Sequence, residues 1–142
     1  MSAPRSKVLF VCTGNSARSQ MAEALLRTIA GERYEAFSAG TEPADVHPLT
    51  IRVLQEIGCD TSPLYSKSLD AMLAEASYDF IITVCDRAAE TCPVVMGGGA
   101  RIHWSFEDPA AFEGTEDEKV ARFRRIRDLV ESRIRRWLTD VK

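Results

Sequence analysis

Val8–Leu9–Phe10–Val11 is an apolar run that stops on a cysteine, and the polar stretch after that cysteine restricts the fold more than any other part of the chain. Lys7–Val11 reads as a buried strand. The next seven residues, Thr13 to Ser19, carry no large apolar side chain. From Ser19 to Ile29, Met21, Leu25, Leu26 and Ile29 recur near helical spacing, and Gly31 is placed to end that helix. A strand that feeds a helix through a short polar loop is half of a βαβ unit, and the pattern recurs downstream. Tyr34–Ala39 predicts a second strand. "HPLTIRVLQEIG" predicts a helix with Pro48 near its start and Gly58 past its end, and "LDAMLAEA" predicts another. "DFIITVC" reads as a central strand and "RIHW" as a fourth. Lys119–Leu138 sets Val120, Phe123, Ile126, Val130, Ile134 and Trp137 on one face of a long helix. The expected fold is α/β, a four-stranded parallel sheet flanked by helices on both faces. Such sheets bind ligands beyond the carboxyl ends of their strands, where Cys12 and Cys85 both fall.

At 142 residues the chain suits one domain, spanning 1–142. Its 45% hydrophobic and 27% charged residues supply a core and argue against disorder. A net charge of −3 argues against a general nucleic-acid binder. No segment approaches the roughly 20 apolar residues that span a bilayer, so no membrane association is expected. The apolar run near the N-terminus is too short for a signal peptide. These features predict a cytoplasmic protein. There, Cys12, Cys59, Cys85 and Cys92 are poor candidates for permanent disulfides. They form no CxxC pair, and His47 and His103 are widely separated, so no metal site is expected.

Cys12 and Arg18 are separated by five residues, Thr13, Gly14, Asn15, Ser16 and Ala17. Gly14 and Asn15 tolerate left-handed backbone angles. A tight loop there turns successive N–H groups inward as an anion cradle, and the following helix adds the partial positive charge of its N-terminus. Arg18 can grip two oxygens of a tetrahedral anion. The same surroundings favour a thiolate at Cys12, and Ser19 is placed to donate a hydrogen bond to it. The loop would bind an oxyanion and aim a nucleophile at it. Further on, Pro109 holds Asp108 on an extended segment.

"VLFVCTGNSARSQMAEALL" resembles the phosphate loop of the low-molecular-weight protein tyrosine phosphatases and of the arsenate reductases built on their fold. The order of elements extends the resemblance over nearly the whole chain. It implies that Thr13 to Arg18 bind the oxyanion, that Cys12 is the nucleophile, and that Asp108 sits over the anion as general acid. In the phosphatases aromatic residues typically follow the Asp–Pro pair and pack on a phenol ring. Here Ala110–Ala111 follow, which suits a small inorganic substrate. The thioredoxin-coupled arsenate reductases carry two further cysteines at the spacing of Cys85 and Cys92. The resemblance therefore implies reduction of arsenate to arsenite by a relay from Cys12 to Cys85 to Cys92. Thioredoxin would supply electrons, with no bound cofactor. The alternatives are a phosphatase of the same fold and a non-catalytic oxyanion-binding or redox-sensing module.

"DRAAETC" is rich in helix formers. A helix there would set Cys85 and Cys92 about 10 Å apart along its axis. A disulfide allows about 4.4–6.8 Å between Cα atoms, so oxidation would require unwinding, with Gly97, Gly98 and Gly99 as slack. Cys59 has no matching role and is read as structural. Asn15, Glu23 and Ser38 match positions that hold a potassium ion in some of the resembling reductases. Lys67 stands where those supply an acidic side chain, so its ammonium would take the ion's place. The arginines of the last helix read as a solvated face paired with Glu118, Asp128 and Glu131.

Overall fold

The computed structural model describes residues 5–85 and 100–141. Its strands are β1 (Ser6–Cys12), β2 (Tyr34–Gly40), β3 (Phe80–Thr83) and β4 (Ala100–His103). Among the described residues the helices are α1 (Arg18–Ala30), α2 (Pro48–Glu56), α3 (Leu69–Glu75) and α4 (Glu116–Asp140), with a 3-10 turn at Pro109–Ala111. The strands pair in parallel in the order β2-β1-β3-β4. Cys12 lies opposite Gly40, Val11 opposite Thr83, and Thr83 opposite His103. The carboxyl ends of all four strands thus form one edge.

β1 is the platform for that edge. Val8, Leu9, Phe10 and Val11 are fully buried. Alternate side chains point to opposite faces, so both faces of this strand are covered. Burying each of these side chains contributes about 1.5–3 kcal/mol, enough to make β1 a rigid base for Cys12. On one face α1, α2 and α4 pack together. Ser38 of β2 reaches Glu23 of α1 on that side. Its neighbour Phe37 points the other way and meets the ring of Tyr78 edge-on at 5.6 Å, where α3 packs on β2. Helices therefore flank the sheet on both faces, as the sequence predicts.

The apolar stripe of α4 is buried from Val120 to Trp137. Trp137 packs against Tyr34, Phe80 and Trp104 at ring separations of 5.3, 5.1 and 6.1 Å. The helix starts three residues before the expected Lys119, because Thr115 and Glu118 form a capping box. Glu118 is therefore committed to the Thr115 N–H at 2.9 Å rather than to an arginine. The expectation of a fully solvated arginine face also needs correction. Arg127 is buried, donating to Val53 O at 2.9 Å and Glu56 Oε1 at 3.1 Å. α2 begins on Pro48 after His47, whose Nδ1 accepts from Leu49 N–H at 3.1 Å. It ends before Gly58, whose φ of 83° is a left-handed angle that favours glycine. β3 stops at Thr83, so Cys85 lies two residues beyond the strand rather than in it. Cys92 and the helix expected over "DRAAETC" lie outside the described residues. No helix among the described residues is long and apolar enough to cross a membrane.

Candidate functional site

Cys12 ends β1, and the chain turns over the sheet edge before α1 begins at Arg18. The turn needs room beside β2. A Cβ on Gly40 would lie 2.6 Å from Thr13 O and 3.0 Å from Asn15 N, so only glycine lets the loop pass this close. Of the two residues expected to tolerate a left-handed angle, Asn15 takes it, with φ 50°, and Gly14 has no positive φ.

The loop's carbonyls are all tied to groups outside it. Cys12 O accepts from Thr41 N–H at 3.1 Å, Thr13 O from Glu42 N–H at 2.8 Å, and Gly14 O from Ala44 N–H at 2.8 Å. Asn15 O accepts from Gln20 Nε2 at 2.9 Å. Ser16 O accepts from His47 N–H at 3.1 Å and from Thr50 Oγ1 at 3.0 Å. In a trans peptide the N–H of the next residue points opposite to the carbonyl. Turning the carbonyls of residues 12–16 outward therefore turns the N–H groups of residues 13–17 inward, toward one concavity. α1 opens onto it without a side-chain cap at Ala17 and without an acidic residue in its first turn. Its leading donors and positive end favour an anion there.

Donors converge on the Cys12 sulfur. Asn15 N–H lies 3.1 Å and Ser19 Oγ 2.8 Å from Sγ. The Asn15 side chain settles the direction of the second bond. Its Oδ1 accepts from Lys67 N–H at 2.8 Å, and its Nδ2 donates to Ser19 Oγ at 2.8 Å. Ser19 already accepts from Asn15, so its own proton is directed to sulfur. Both donors are aimed at the sulfur. Cys12 is buried, as are Asn15 and Ser19. Replacing Ser19 by alanine is expected to slow iodoacetamide alkylation of Cys12 about tenfold, because the sulfur loses one of its two hydrogen-bond donors. An unchanged rate, with the labelled peptide identified by mass, would remove Ser19 from this role.

Arg18 and Asp108 come together across the chain. Arg18 Nη1 donates to Phe106 O at 3.2 Å, and its Nη2 lies 3.7 Å from Asp108 Oδ2. Asp108 is extended, as its place before Pro109 requires, and its Oδ1 accepts from Ala110 N–H at 2.9 Å. Its side chain is 42% exposed and that of Arg18 is 13% exposed, so the carboxyl lies at the mouth and the guanidinium within.

Cys85 also lies at this edge, buried, with Sγ 3.4 Å from Thr13 Oγ1. Two thiols thus flank the two ends of one residue of the loop: Cys12 precedes Thr13 in sequence and Cys85 touches its side chain. Cys59 is buried in the core, away from these contacts. Asn15, Ser19, Cys12, Arg18, Cys85 and Asp108 are brought together at one edge of the sheet. Gln20, Thr50 and Ser66, which brace the loop, were not singled out by sequence.

Behind the loop, Glu23 is fully engaged. Its Oε1 accepts from Ser38 Oγ at 2.6 Å and faces Lys67 Nζ at 3.4 Å, and its Oε2 accepts from Arg27 Nη2 at 2.7 Å. Lys67 Nζ also donates to Tyr65 O at 2.6 Å. Burial pushes the Lys67 ammonium below the usual lysine range, with Glu23 opposing the shift.

This loop, fold and order of elements define a class. Residues 7–142 match the family model described as low molecular weight phosphotyrosine protein phosphatase, and the chain belongs to that family. Within it, the chain is similar to reductases. The arsenate reductase of Halalkalibacterium halodurans is 42% identical over 128 residues, covering 90% of this chain and 91% of that protein. A solved arsenate reductase in the phosphate binding state superposes with a TM-score of 0.79 at 30% identity, covering 96% of this chain and 99% of that one. The Corynebacterium glutamicum thioredoxin-dependent arsenate reductase superposes with a TM-score of 0.63 at 34% identity, covering 93% of this chain and 63% of that one.

Proposed function

We propose that this protein is a cytoplasmic arsenate reductase that uses Cys12, Cys85 and Cys92 in turn and is regenerated by thioredoxin, with no bound cofactor. The observation that carries the reading is Cys85 Sγ resting 3.4 Å from the hydroxyl of Thr13, inside the loop that presents Cys12. A phosphatase needs one thiolate there. A two-electron reduction needs a second thiol that can reach the first. Similarity to arsenate reductases over nine-tenths of the chain supports the same reading.

The inward N–H groups of residues 13–17 and the Arg18 guanidinium bind arsenate. Asp108 stands beside Arg18 at the mouth, within reach of an anion that Arg18 holds, where its carboxyl would serve as the general acid. The Cys12 thiolate attacks arsenic and forms an S–As bond, and the departing oxygen leaves as water with the proton of Asp108. The Cys85 thiolate then attacks Cys12 Sγ. The S–As bond breaks with its electron pair on arsenic, arsenic(V) becomes arsenic(III), and arsenite leaves as the Cys12–Cys85 disulfide forms. Cys92 attacks Cys85 Sγ, which frees the Cys12 thiolate and moves the disulfide to Cys85–Cys92. The thioredoxin dithiol reduces that bond and is itself oxidised to a disulfide. Phosphate fits the cradle, but this route does not reduce it.

The cluster at Glu23 does not fit a bound potassium ion. An ammonium, Lys67 Nζ, already faces Glu23 Oε1 and Tyr65 O. Exchanging sodium for potassium at constant ionic strength is expected to change activity less than about twofold; a marked rise in potassium alone would contradict the assignment of this place to Lys67.

The function is tested by following NADPH oxidation with thioredoxin, thioredoxin reductase and arsenate. Consumption that requires all three supports the reading. Consumption restored only by glutaredoxin would reassign the electron donor. Aryl phosphate hydrolysis without arsenate-dependent consumption would establish the phosphatase instead.

A further inference from the structure

Arg122 of α4 touches neither thiol, yet it holds both flanks of the segment that carries Asp108. Its Nη1 lies 3.0 and 3.2 Å from the two carboxylate oxygens of Glu107, the residue immediately before Asp108. Its guanidinium carbon lies 4.5 Å from the centre of the Phe112 ring, immediately after the 3-10 turn. One planar cation therefore grips the entry to the turn by charge and its exit by stacking. Gly114 keeps the second grip open, since a Cβ there would meet the Phe112 ring at 2.9 Å. A third tie, from Arg18 Nη1 to Phe106 O, joins the same segment to the oxyanion-binding side chain.

We propose that Arg122 is a positioning residue for the general acid, setting where the Asp108 carboxyl stands over the oxyanion cradle. The inference rests on the acid role proposed above for Asp108. A half-exposed ion pair such as Arg122–Glu107 contributes little to stability, so its loss leaves the fold intact. The chemical step is far more sensitive, because a misplacement of about 1 Å can cost about 10²-fold in rate. Charge alone does not define the device, since lysine can pair with Glu107 but cannot stack as a plane on Phe112.

The test is a double-mutant cycle on the rate of arsenite release in a single turnover without thioredoxin. Arg122→Ala is expected to lower that rate about tenfold, with a change of less than about twofold in the inhibition constant for phosphate, because Arg122 does not contact the inward N–H groups of residues 13–17 or Arg18 itself. Arg122→Lys is expected to fall between the two. In an Asp108→Asn background, Arg122→Ala is expected to change the already reduced rate by less than about twofold. An equal loss in both backgrounds would show a general structural effect and overturn the proposal, as would a full rate in Arg122→Ala. An Asp108→Asn variant with undiminished rate would overturn the acid role itself, and that failure is visible before Arg122 is altered. If Arg122→Ala does not fold, the Arg122→Lys arm of the cycle decides by the same comparison.

Discussion

Cys12→Ser is expected to lower arsenite production by about 10⁴–10⁶-fold, the range seen when an enzyme loses its nucleophile. The loss has two independent causes. A serine hydroxyl is a far weaker acid and a far poorer nucleophile than a thiol, so attack on arsenic fails. Even a slow attack would form an As–O bond, which cannot end in a disulfide or return an electron pair to arsenic. The surroundings should survive the change. The six hydrogen bonds to the outward carbonyls of residues 12–16 do not involve the Cys12 side chain, and the Asn15–Ser19 contact does not need sulfur. Phosphate binding, followed by calorimetry, should therefore persist in the variant. Loss of both activity and phosphate binding would mean that the thiol organises the loop, which the geometry does not predict.

The first strand, the loop and the first helix were legible because their information is local. An apolar run, small polar residues and a helical stripe succeed one another, and each dictates its own backbone. The sequence leaves two residues able to take the left-handed angle, and Asn15 takes it, its side chain held by Lys67 N–H and Ser19 Oγ. The ties that turn the loop inside out come from residues 20, 41, 42, 44, 47 and 50, and no local pattern in the loop announces them. Arg127 was read with the solvated arginines because a charged side chain on a helix usually is solvated. Its acceptors, Val53 O and Glu56, lie on another helix more than 70 residues away in sequence. The start of α4 was missed despite a readable signal, Thr115 followed three residues later by Glu118. Arg122 was one arginine among many until Glu107 and Phe112 met on it.

The second large effect concerns turnover rather than chemistry. Cys12 is 2% exposed and Cys85 4% exposed. A disulfide between them would lie at the floor of the site, where a protein reductant cannot attack it, because thiol–disulfide exchange needs access to sulfur. Cys92 is assigned the task of carrying that disulfide outward. Cys92→Ser should therefore leave the first reduction intact and stop every later one, so that steady-state NADPH oxidation falls by about 10²-fold or more while the first turnover keeps its rate. The direct measurement is to mix Cys92→Ser with excess arsenate, thioredoxin, thioredoxin reductase and NADPH, and to count arsenite released per chain. The account predicts one arsenite per chain, then arrest, with peptide mapping showing Cys12 joined to Cys85. Sustained turnover, or no arsenite even in the first cycle, would contradict it.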